Sequence, residues 1–139
     1  MLVVPRVGEF ERVGERALVG WSPTREATRA VHDALALLHP GARATLLRVE
    51  HGHRRHAESE RSAREMAAWL ERHGIVTDVV HRANTVVPIG DWLLNESFER
   101  GADLLVIGGY GHSRLYDAVL GATTSHLLAH MTLPVLFDN

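Results

Sequence analysis

The stretch DLLVIGGYGHSRLYDAVLGATTS, Asp103 to Ser125, decides the fold. Leu104 to Ile107 are four successive apolar residues without the alternation of a half-solvated strand. Such a run predicts a strand buried on both faces, central in a parallel sheet covered by helices. Gly108, Gly109 and Gly111 follow, where a backbone without Cβ can turn sharply and come close to a neighbour. After Gly121, the small and hydroxyl residues Ala122 to Ser125 are placed to open a helix. Its free N–H groups would point back toward the glycines and favour an anion. Two readings of the glycines stay open: a phosphate cradle, or a tight strand-to-helix connection and nothing more.

Outward from this stretch, the chain alternates strands with helical patterns. Met1 to Pro5 reads as a short strand ended by proline, and Arg6 to Glu15 as a polar linker, so residues 1–15 form an N-terminal extension and 16–139 a single domain. Arg16 to Gly20 is the first core strand. Ser22 suits an N-cap and Pro23 the first helical position, and Ala27, Val31, Ala34, Leu35 and Leu38 then recur at helical spacing until His39-Pro40-Gly41. Ala44 to Val49 is the second strand, followed by the polar loop Glu50 to His56. A helix from about Glu58 to His73 presents Ala63, Met66, Ala67 and Leu70 on one face and stops at Gly74. Ile75 to Val80 is the third strand. Asn84 to Ile89 leads to a helix with Ile89, Leu93, Leu94 and Ser97 inward, closed by Gly101. After the glycine arc come a helix around Leu127 and Leu128 and a last strand, Leu133 to Phe137. This alternation indicates an α/β fold of right-handed βαβ units: a doubly wound, five-stranded parallel sheet with helices on both faces.

The spacing Gly108-x2-Gly111-x9-Gly121, behind a buried strand and before a helix, resembles the nucleotide-binding signature of the universal stress protein family, and the resemblance extends over roughly Arg16 to Asn139. It implies the strand order 3-2-1-4-5 of the adenine nucleotide alpha hydrolase-like, three-layer sandwich. In that order the winding reverses between the first and fourth core strands, and a ligand crevice is expected beyond their C-terminal ends. By the resemblance, ATP would set its base near Gly20, Trp21, Ser22 and Val49 and its phosphates over Gly108, Gly111, His112, Gly121, Ala122 and Thr123. Three positions depart from the family pattern: Ser22 stands for an Asp, Pro23 for a Gly, and Ala122 for a Ser or Thr. ATP binding is therefore expected to be weak or absent. The resemblance also implies a homodimer through the C-terminal strand, while Met1 to Pro5 looks like the last strand of a preceding domain in a tandem member.

Composition narrows the chemistry. With 139 residues, no cysteine and a formal charge of −2, the chain suits one domain without disulfides or thiolate chemistry, and no binding to nucleic acid or an anionic membrane is expected. No signal peptide or run of about 20 apolar residues is present, so the expected location is the cytoplasm. All 15 basic residues are arginine, which leaves no lysine for a P-loop or a Schiff base. His126 and His130 stand four apart, as in a helical zinc pair, but lack an evident third ligand, and no metal site is expected. His51, His53 and His56 read as solvated loop residues. Trp21 is a candidate to stack on a base, whereas Trp92 has core spacing. No catalytic set is assembled, because Ser22, Ser113 and His112 form no oriented triad. The reading is a stress-response regulatory module with a glycine-loop crevice. The alternatives are a dimerisation module that binds no nucleotide and an ATP-using enzyme on the same fold.

Overall fold

The computed structural model describes residues 1–50, 56–83, 86–108 and 122–138. Its elements are β1 (Leu2–Val3), β2 (Arg16–Gly20), α1 (Arg25–Leu35), β3 (Arg43–Glu50), α2 (His56–Arg72), β4 (Val76–Ala83), α3 (Ile89–Glu99), β5 (Leu104–Gly108), α4 (Ala122–His130) and β6 (Val135–Asp138). The sheet order is β1-β6-β5-β2-β3-β4. Without β1 this is the expected parallel, doubly wound sheet in the order 3-2-1-4-5 of the core strands.

The expectation of five strands needs one correction. Residues 2 and 3 add a sixth strand, with Leu2 opposite Leu136 and Val3 opposite Val135 in antiparallel register. The Phe137 amide donates to the Met1 carbonyl at 2.9 Å. Part of the segment read as an extension thus belongs to the sheet, because the outer edge of β6 has backbone groups to pair and an apolar segment is at hand.

Strand β5 is central, with β2 on one side and β6 on the other, and all of its residues are buried. Its alternate residues serve two cores. Leu104 and Val106 pack with Val19, Leu46, Ala30 and Leu70 under α1 and α2, and Leu105 and Ile107 pack with Leu18, Leu93 and Leu127 under α3 and α4. This is why the run shows no alternation in the sequence.

The start of α1 also departs from expectation. Thr24, not Ser22, is the N-cap: its hydroxyl accepts the Ala27 amide at 3.1 Å, and the helix begins at Arg25. Pro23 stands outside the helix, since the Thr24 amide donates to the Ser22 carbonyl and closes a tight turn there. Of the two hydroxyl residues flanking the proline, the one nearer the helix reaches its amides.

Candidate functional site

The switch point of the sheet lies between the ends of β2 and β5, where Gly20 lies beside Ile107 in register. Gly108, the next residue of β5, is where the first turn of α1 crosses the strand. A Cβ built on Gly108 would stand 2.2 Å from the Ala27 nitrogen and 2.6 Å from the Glu26 carbonyl carbon. The glycine permits helix and strand to touch, so its close-approach role is filled by the protein's own backbone. The capped start of α1 is thereby brought over the C-terminal end of the sheet. Helix α4 begins at Ala122, with Thr123 half-buried and Thr124 buried.

The remaining site residues are placed differently from one another. Ser22 is half-buried beside Thr24, with 3.3 Å between their hydroxyl oxygens. Val49 lies on β3 against the core under α3 and α4. Trp21 is only 5% exposed, and its indole N–H donates to the Ser62 hydroxyl at 3.0 Å. That ring joins β2 to α2 inside the core under α1 and α2, where it cannot stack on a ligand. Gly111, His112 and Gly121 lie outside the described residues, as do His51 and His53.

Two polar arrangements were not legible in the sequence. His126 on α4 and Asp91 in the first turn of α3 approach to 2.6 Å, and the His130 ring stacks on His126 with centroids 4.4 Å apart. The spacing read as a possible zinc pair thus engages a carboxylate from the neighbouring helix, and among the described residues no group of three metal-ligating side chains occurs. The second arrangement seats α3 on the sheet. Glu96 accepts from Arg82 Nε at 2.9 Å and from Arg100 Nε at 3.0 Å, and Arg100 Nη1 reaches Asp78 at 3.3 Å. Asp78 also accepts the Thr45 hydroxyl at 2.7 Å. Burial by itself would raise the Glu96 pKa, but the hydrogen bonds and charges of Arg100 and Arg82 outweigh it and hold the carboxyl below its ordinary value. Glu96 and Arg100 stand at the i,i+4 spacing of a helical pair, whereas Arg82 and Asp78 reach them from β4 over 14 and 22 residues.

A doubly wound sheet whose winding reverses between β2 and β5 defines a Rossmann-like α/β protein. The model of the universal stress protein family matches residues 15–137, and the chain belongs to that family. No curated protein matches the sequence. Among solved structures, the hypothetical protein MJ0577 is similar over 89% of this chain and 94% of its own, at 16% identity and a TM-score of 0.74. A universal stress protein described in complex with cAMP matches over 91% of this chain and 98% of its own, at 20% identity and a TM-score of 0.65. A universal stress protein from Archaeoglobus fulgidus DSM 4304 matches over 90% of this chain but 45% of its own, at 20% identity and a TM-score of 0.66. At these identities the likeness is one of fold. Among the described residues, no helix is long and apolar enough to cross a membrane.

Proposed function

We propose that the chain is a regulatory module of the universal stress type, whose crevice takes the phosphates of an adenine nucleotide but holds the nucleoside weakly. The observation that carries this reading is the meeting of the β2 and β5 ends with the capped start of α1 at Gly108, just where the glycine arc leaves the sheet. Backbone amides of such an arc, and of the helix that opens at Ala122, attract phosphate whatever the side chains are. The groups that would orient the nucleoside are the ones replaced: Ser22 brings no carboxylate for a ribose hydroxyl, Pro23 has no amide to donate, and Ala122 has no hydroxyl. The family relative in complex with cAMP supports adenine nucleotides as the class to test. Calorimetry with ATP, cAMP and inorganic phosphate tests it. The expected result is saturable binding of ATP weaker than about 100 μM, retained in part by phosphate. No heat with any of the three sinks the nucleotide and leaves the dimerisation module. Turnover of ATP by the purified protein would instead favour the enzyme reading.

The homodimer through the last strand belongs to this proposal in a modified form. A second copy can reach β6 only by displacing Leu2 and Val3, which pair with it inside the same chain.

A further inference from the structure

We infer that the end of the sheet opposite the crevice carries a second site, for a small organic anion bearing a carboxylate or phosphate group. The strands β2 and β3 each begin with an arginine, and the two are direct neighbours: Arg16 pairs in register with Arg43. Neighbouring strands are about 4.8 Å apart, so the two side chains leave the same face side by side. That face is the one covered by α3, since Arg16 alternates with Leu18 of the α3 core and Arg43 with Thr45, which meets Arg100. Both arginines are exposed, and among the described residues neither has an acid within ion-pairing distance. Like charges on adjacent strands are unfavourable, and nothing in the packing requires them here.

They open onto a cleft of about 560 Å³, the size that encloses a small metabolite. Arg100 lines the same cleft from the end of α3, with Thr45 beside it and Ala102 at its edge. The guanidinium of Arg16 is held over the end of α3, with Nη1 3.9 Å from the position a Cβ on Gly101 would take. Two acids also border the cleft. Asp78 is already engaged by Arg100 and Thr45, so Arg16 and Arg43 face one further acid, Glu99 on the exposed rim, and the unengaged charge of the cleft is net positive. Two arginines starting side by side on neighbouring strands suit a carboxylate or a phosphate carried on a short carbon skeleton. The cleft lies at the N-terminal ends of β2 and β3, whereas the nucleotide crevice lies at the C-terminal ends, so the two are separated by the length of the strands.

The test is thermal unfolding and amide chemical shifts with sodium phosphate, sodium citrate and sodium chloride at equal ionic strength, on the parent and on Arg16→Gln/Arg43→Gln. A saturable rise in Tm with citrate or phosphate beyond that with chloride is expected, with shifts at Ala17, Thr45 and Ala102. The double substitution should weaken it at least tenfold. Response to citrate alone identifies carboxylates, and response to phosphate alone a phosphoryl group. Phosphate held only by the glycine arc would move Gly108 and Thr123 and leave the double variant's response unchanged, which overturns the inference. So does a response to citrate and phosphate no larger than that to chloride. Without ligand, Arg43→Gln should be no less stable than the parent, because it relieves repulsion; a clear loss assigns the residue a structural role and also overturns the inference. If the double variant does not fold, the loss of saturable binding in Arg43→Gln decides by the same criterion.

Discussion

A methyl group on Gly108 would lie 2.2 Å from the backbone nitrogen of Ala27, closer than any side chain can stand to a main-chain atom. Neither partner can rotate away, since one is a buried strand end and the other the first turn of a capped helix. Gly108→Ala should therefore push α1 off the sheet and cost roughly 2–3 kcal/mol, read as a lower urea midpoint. A variant as stable as the parent would show that α1 shifts freely at this contact.

Thr24 and Ser22 give a sharper local test. Thr24→Ala removes the hydroxyl that accepts the Ala27 amide and should cost about 1 kcal/mol, whereas Ser22→Ala should cost clearly less. Equal losses in denaturant titrations would mean that the two hydroxyls share the cap.

Glu96 should make stability fall in acid. Its carboxyl is held below the ordinary value in the folded chain, so the stabilisation is fully present above the unfolded value of about 4.3 and is lost as pH drops through the lower, folded value. Glu96→Gln should cost about 1–2 kcal/mol at pH 7, because Arg82 and Arg100 lose their shared acceptor while staying partly solvated. It should also flatten the decline between pH 5 and pH 3. A variant whose stability falls as steeply as the parent's over that window would remove Glu96 from the account.

The nucleotide reading predicts that Ser22→Asp combined with Ala122→Ser raises ATP affinity by about tenfold or more, one hydrogen bond contributing on the order of 1 kcal/mol. Each change alone should do less. Low-micromolar ATP binding by the parent would mean that backbone groups, Thr123 and Thr124 suffice, and that the three departures from the family pattern do not matter.

Self-association should depend on β1. A chain lacking residues 1–5 exposes the edge of β6 and is expected to scatter light at about twice the chain mass, with the full chain dimerising less readily. Identical masses for the two at every concentration would separate β1 from the interface.

The core strands were legible because burial on two faces writes itself into continuous apolar runs, as at Leu104 to Ile107. The three-layer arrangement, with helices on both faces of the sheet, followed from the alternation of strand and helix, and the strand order came through the family resemblance. What escaped the sequence depends on geometry between distant residues. Nothing local distinguishes Trp21 as a core ring from Trp21 as a stacking platform until Ser62 of α2 is seen to take its N–H. The Asp91–His126 contact joins residues 35 apart, and the spacing of His126 and His130 pointed to metal only because that partner was out of sight. Thr24 was missed for a different reason: Pro23 made Ser22 look like the residue before a first helical position. The turn formed by Ser22 and Thr24 moves the start by two residues.

The pairing of β1 with β6 sets an order of events in synthesis. Of the six strands, the one made first has its partner in the one made last, with Leu2 waiting for Leu136. Through most of translation β2, β3, β4 and β5 can pair among themselves, since each finds a neighbour already made. The N-terminal segment meanwhile carries its apolar side chains unpaired. The β1–β6 pairing is thus the last the sheet can make, and the one that closes the longest loop, from Val3 to Val135.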